Sequence, residues 1–155
     1  MAGRIDAKLA ELGITLPTPA APVANYVPFV RTGDLVVISG QLPMQDGKLA
    51  VTGKLSEGVT LEQGIAAARL AAINLLAQLR AACGGDLDRV QQVVRLGGFM
   101  AAPAGFTQHA PVMNGASDLA VAVFGDAGRH ARTTIGVPSL PMDAAVEVEG
   151  MFRIA

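Results

Sequence analysis

The hydrophobic positions change period along the chain, and each change marks an element. From Arg4 to Leu12 the apolar residues Ile5, Leu9 and Leu12 fall at helical spacing, and Gly13 stands where a short helix would end. The run Leu16-Pro17-Thr18-Pro19-Ala20-Ala21-Pro22 that follows reads as an extended linker, because proline lacks an amide donor and restricts the residue before it. Residues 1–23 are therefore expected to form an appended arm, with the domain proper at 24–155. Tyr26 to Arg31 and Leu35 to Ser39 are β-rich runs on either side of Thr32-Gly33-Asp34, which predicts a hairpin. Pro28 puts the first strand at an edge or starts it after that residue. Ser39-Gly40-Gln41 ends the second strand, and an Asp46-Gly47 turn leads to a short strand from Lys48 to Val51.

From Thr60 to Cys83 the period returns to that of a helix. Leu61, Ile65, Ala68, Ala72, Leu76 and Leu79 make one apolar stripe. Thr60 with Gln63 has the capping-box pattern, and Gly84-Gly85 supplies the stop. Val90 to Met100 reads as a long strand whose Gly97-Gly98 pair marks a bulge or the close approach of another backbone. Pro111 to Phe124 predicts a second helix, tolerating proline in its first turn. Ala131 to Val137 and Ala144 to Ile154 alternate strictly and are joined by a turn containing Pro138 and Pro141. The order strand, strand, helix, strand, helix, strand, strand predicts an α+β fold, a mixed sheet with two helices on one face.

Composition narrows the picture. Among 155 residues 51% are apolar, yet there is no Trp, one Tyr and five Phe, so aliphatic side chains and alanine must fill the core. A core of small side chains gains from burying further surface against copies of itself. The formal charge of −1, with both signs interspersed, gives no basic stripe for a phosphate backbone, so nucleic acid is not an expected partner. A single cysteine, Cys83, excludes an internal disulfide and fits a reducing compartment. Neither a signal-peptide pattern nor an apolar run of transmembrane length is evident, and a cytoplasmic location without membrane association is the expectation.

The last strand carries the candidate chemistry. Val146, Val148, Phe152 and Ile154 alternate with Glu147, Glu149 and Arg153, so the apolar set should meet the helices and the carboxylates should line the uncovered face. If residues 138–143 are a simple hairpin connection, Thr134 stands opposite Glu147 and Arg132 opposite Glu149, all on one face. A one-residue slip would undo that set. An Arg opposite two carboxylates has two readings. One is a cross-strand ion pair on a solvated face, worth about 0.2–1 kcal/mol. The other is a fork that binds a substrate carboxylate while a Glu holds a water. His109 and His130 lack partners at metal-ligand spacing and take surface or capping roles. Cys83, at a helix C-terminus where the dipole disfavours thiolate, takes a structural one. No metal site is expected.

These blocks resemble the Rid family, also known as YjgF-like or L-PSP endoribonuclease. The family's Ala-Arg-Ser/Thr, Leu-Pro and alternating Glu strand are matched by Ala131-Arg132-Thr133, Leu140-Pro141 and Val146-Glu147-Val148-Glu149. Its Pro-Tyr element corresponds to Asn25-Tyr26, and its Ser-Gly-Gln strand end stands as Ser39-Gly40-Gln41. The resemblance runs from about Ala24 to the C-terminus. Thr134 replaces the Cys of many members, and the segment from Ala104 to Asp118 is longer than the family norm, which marks a divergent branch.

The resemblance implies a bacillus-type chorismate-mutase-like fold and a homotrimer with a barrel core and intersubunit sites. It also implies hydrolysis of 2-imino or enamine acids to 2-keto acids and ammonia, with no cofactor. Arg132 would clamp the carboxylate and Glu147 would orient or deprotonate water as the catalytic pair. Tyr26, Gly40 and Thr134 would complete the substrate pocket for small 2-imino or 2-keto carboxylates. The alternatives are a non-catalytic trimer that binds small carboxylates, and the endoribonuclease or translation inhibitor of the older family label.

Overall fold

Thr60 starts the longest helix by the predicted reciprocal bonds: Gln63 N donates to its hydroxyl at 3.1 Å, and its own amide donates to Gln63 Oε1 at 2.9 Å. The computed structural model describes residues 2–19, 21 and 24–155, so Ala20, Pro22 and Val23 of the predicted linker and arm boundary lie outside the described residues. In chain order the elements are α1 (Arg4–Glu11), β1 (Phe29–Thr32), β2 (Leu35–Gln41), β3 (Met44–Gln45), β4 (Lys48–Leu49), β5 (Lys54–Leu55) and β6 (Gly58–Val59). They continue with α2 (Leu61–Ala82), β7 (Val90–Ala101), α3 (His109–Phe124), β8 (Ala131–Val137) and β9 (Val146–Ile154).

Five strands form one mixed sheet in the order β1-β2-β9-β7-β8; β7 and β8 run parallel and the other neighbours antiparallel. Val36, Ile38, Val93, Leu96, Met100, Val146, Val148, Phe152 and Ile154 lie on its buried face. They meet Ala68, Ala72, Leu75 and Leu79 of α2 and Val112, Met113, Ala116 and Leu119 of α3 in one apolar cluster. Alanine and glycine let the two helices approach closely. A Cβ at Gly115 of α3 would collide with the backbone carbonyl of Ile65 in α2. This is the predicted α+β architecture. The window of α2 that is apolar enough to cross a membrane is half buried inside the fold, as for a core helix.

The N-terminal helix joins the same core through Ile5 and Leu9, which are 1% and 3% exposed. Asp88, in the short turn before β7, accepts from the amides of Arg4 at 2.8 Å and Ile5 at 2.7 Å. A side chain from elsewhere in the chain thus serves the open N-terminus of α1, whose own cap, Gly3, has no side chain to do so.

One expectation is overturned. The strands β8 and β9 are not hairpin partners, because β7 lies between them and pairs with both. Residues after Val137 leave the sheet edge, turn through Pro141–Asp143 with Met142 and Asp143 at positive φ, and pair with the segment before β5. There Gly53 N donates to Asp143 O at 2.9 Å and Ala145 N to Val51 O at 3.3 Å. Backbone bonding to 51–53 carries the chain past β7 before β9 begins. The physical reason is burial: β7 is the longest strand, with Val90, Val93, Leu96, Met100 and Ala101 buried, and it takes an interior position that local alternation in β8 and β9 does not reveal.

Candidate active site

The inserted strand rearranges the predicted constellation. Arg132 stands level with Leu96 of β7 and, beyond it, Gly150 of β9; Thr134 is level with Gly98 and Val148. Leu96 and Val148 face the helices, and so do Arg132 and Thr134. Glu147 and Glu149 face the other way. The sequence placed all four on one face; the structure separates them into two pairs on opposite faces. An Arg132–Glu149 ion pair is absent among the described residues, and Glu149 instead meets Arg95 at 3.4 Å.

On the helical side, Arg132 is held by one corner of its fork. Its Nη1 donates to Asn114 Oδ1 at 2.8 Å and to Ser117 Oγ at 3.1 Å, both on α3. Ser117 Oγ also lies 2.9 Å from His130 Nε2, and His130 Nδ1 is 2.7 Å from Gly128 O. All four groups are satisfied when Ser117 accepts from Arg132 and donates to Nε2, while Nδ1–H donates to the carbonyl. The remaining guanidinium nitrogens, Nε and Nη2, have no partner among the described residues. A planar fork fixed at one corner keeps two parallel donors aimed at an incoming anion. Thr134 does not reach this network; its hydroxyl donates to Met100 Sδ at 3.0 Å.

Glu147 lies on the open face beside Gly40. Gly40 falls where β2 shifts register against β9, between Ile38 and Gln41, and a side chain there would run into the Glu147 carboxylate. The missing Cβ lets the acid lie down against the sheet. Burial raises its pKa above the ordinary value, and the nearby Glu149 charge raises it further. No hydrogen bond or ion pair engages its carboxylate among the described residues. Ser39 Oγ donates to Val27 O at 2.8 Å, tying the segment after Tyr26 to the end of β2. Tyr26 itself is 53% exposed.

Sequence reasoning missed Asn114 and Ser117, although a signal existed: these two polar residues, three apart on a largely apolar helix, share one face. It gave His130 a surface or capping role and did not connect it to Arg132, whose Ser117 anchor the imidazole meets. Cys83 is buried at the end of α2 with its thiol pKa pushed up by burial, in keeping with its structural reading. Among the described residues, no three His, Cys, Asp or Glu side chains converge as a metal site.

The family model for "YjgF/chorismate mutase-like, putative endoribonuclease" matches residues 6–152, and the chain belongs to this family. Protein TCP17 of Trypanosoma cruzi is 47% identical over 153 residues, covering 98% of this chain and 95% of that protein. The crystal structure of Atu1372 from Agrobacterium tumefaciens, a protein of unknown function, superimposes with a TM-score of 0.92 at 46% identity, over 97% of this chain and 92% of that one. An endoribonuclease-labelled structure from Shewanella oneidensis MR-1 gives 0.94 at 36% identity, over 98% and 100%. At the level of fold alone, Escherichia coli TdcF with bound serine gives 0.64 at 20% identity, over 89% and 94%.

Proposed function

We propose that the chain is a hydrolytic deaminase that converts 2-imino or enamine acids to 2-keto acids and ammonia, working in the cytoplasm as a homotrimer with sites between subunits. The observation that carries this reading is the Arg132 fork, anchored by Asn114 and Ser117, with Nε and Nη2 unpartnered among the described residues. A 2-imino acid offers a carboxylate to that fork and an electrophilic C=N carbon beyond it. Water adds to the carbon of the protonated imine while Glu147 takes a proton from it, giving a neutral carbinolamine. Glu147 then returns that proton to the nitrogen, the C–N bond breaks to release ammonia, and the hydroxyl loses its proton as the C–O bond becomes the keto group. A carboxylate with a raised pKa is suited to this exchange because it both accepts and returns a proton. The chemistry needs no cofactor, since the imine is already activated toward water.

Opposite faces within one protomer put Arg132 and Glu147 in separate half-sites, so the reading requires two copies. Arg132 belongs to the edge strand β8; Glu147, Gly40 and Tyr26 lie toward the β1–β2 side. A contact that joins the β8 edge of one copy to the β1–β2 side of the next is heterologous, and a rotation of one third of a turn at each contact closes it into a three-membered ring. The open sheet face supplies apolar contact area, with Val30 54% and Ile135 45% exposed. In this arrangement residues 24–155 form the catalytic domain, and residues 1–23 an arm whose helix braces α3. Thr134 lines the pocket by packing rather than through its hydroxyl.

The serine bound to TdcF favours one second reading, a trimer that holds small carboxylates without turning them over. The separating experiment is ammonia and keto-acid release from freshly generated 2-iminobutyrate, run beside direct binding of 2-ketobutyrate. Turnover that disappears in Arg132→Ala supports the deaminase; tight binding with no turnover supports the alternative. Cleavage of RNA that survives purification and is lost in the same variant would support the endoribonuclease of the family label.

A further inference from the structure

A cleft separate from the Arg132 network lies at the other end of β8. Lys54, Phe106, His109, Gly136 and Pro138 line an open cleft of about 410 Å³. No Asp or Glu lines it. Lys54 Nζ has no hydrogen-bond or ion-pair partner among the described residues, and neither ring nitrogen of His109 has a hydrogen-bond partner there. The imidazole is nevertheless held in place. It meets the Phe106 ring edge-on with centroids 5.0 Å apart, and it lies across Gly136, where a Cβ would come within 2.8 Å of Nε2. The glycine in mid-strand is what allows the ring to sit over β8.

We propose that this cleft binds an aryl or branched-chain carboxylate at a site distinct from Arg132. Lys54 and His109 supply donors without a competing acceptor, so the carboxylate exchanges water for protein donors without displacing an existing ion pair. The Phe106 ring and the Pro103 and Pro138 faces receive the apolar half of the ligand. Arg132 and Gly136 are four residues apart on one strand, about 13 Å along the backbone, too far for one small 2-imino acid to fill both places. Pro103, Ala104 and Phe106 come from the segment between β7 and α3, and His109 is the first residue of α3.

Benzoate is the probe, titrated into the full-length isotope-labelled protein while amide and imidazole resonances are followed by NMR. Saturable shifts are expected at Phe106, His109 and Gly136. Lys54→Met and His109→Gln should each weaken the affinity by about tenfold while the spectrum stays folded. Arg132→Ala should leave it unchanged. The proposal is overturned by an absence of saturable shifts at these residues, by unaltered affinity in both cleft variants, or by loss of binding in Arg132→Ala. None of these readouts involves turnover, so the deaminase reading stands or falls separately.

Discussion

Arg132 and Glu147 project from opposite faces of one sheet, the first from edge strand β8 toward α3 and the second from β9 onto the open face beside Gly40. Each has its own supporting residues. Asn114 and Ser117 hold the Arg; the acid lies in the space left at Gly40, where burial and then the Glu149 charge raise its pKa.

Removing the anchors should affect substrate capture before chemistry. Asn114→Ala leaves the guanidinium charge but frees its fork, so KM for 2-iminobutyrate is expected to rise with little change in kcat. Arg132→Ala should take kcat/KM below detection, a fall of at least about a hundredfold, because both charge and orientation are lost. Steady-state ammonia release checks both. Equal losses of kcat and KM effects in Asn114→Ala would remove the positioning role.

The acid limb of the pH–rate profile should report Glu147. With its pKa raised by burial and by Glu149, activity is expected to rise with pH through a midpoint above the ordinary carboxylate value of 4.5. Glu149→Gln removes a repulsive charge and should move that midpoint to lower pH. The same shift has a stability sign. A carboxyl with a raised folded pKa contributes stability that is complete below the unfolded value and lost as pH rises through the folded one. Glu147→Gln should therefore lack that loss, which urea unfolding measured across this window would show.

The N-terminal helix is expected to unfold with the domain rather than before it. Ile5→Ala should cost about 2–5 kcal/mol in urea unfolding, as for other buried aliphatic truncations. Asp88→Asn should speed hydrogen exchange at the Arg4 and Ile5 amides that it accepts. Those bonds lower the Asp88 pKa, so their contribution is present above the unfolded value of 3.8 and lost as pH falls through the folded one. A separate early transition for α1 in unmodified protein would contradict this account.

Two glycines should respond differently to a methyl group. At Gly115 the obstruction is the Ile65 backbone, which cannot move without separating α2 from α3; at Gly98 it is the flexible Met113 side chain. Gly115→Ala should thus destabilise by about 1–3 kcal/mol, and Gly98→Ala by less. Chemical denaturation of the two variants decides the order.

Local pattern was sufficient for much of this fold. The spacing of Leu61, Ala68, Ala72 and Leu79, with Thr60 and Gln63 ahead of them, encodes α2 within its own sequence, and the alternation from Val146 to Ile154 assigns both faces of β9 correctly. The partner of β9 was not encoded there. Strict alternation in β8 and a short connection suited a hairpin equally well, and only the bonding of 143–145 to 51–53, nearly a hundred residues apart, takes the chain across β7. The site was legible to the same extent. Arg132 and Glu147 could be named from motif and strand period, but the faces they occupy depend on long-range pairing, as does the Ser117–His130 support.

Subunit complementation tests the central claim most directly. Arg132→Ala and Glu147→Gln are each expected to be inactive. If every site takes Arg132 from one subunit and Glu147 from the next, a one-to-one mixture reassembled at random should regain about a quarter of wild-type activity, since half the sites have an intact Arg132 and half of those an intact Glu147 neighbour. Mixed assemblies verified by native mass spectrometry that remain inactive would contradict the shared site.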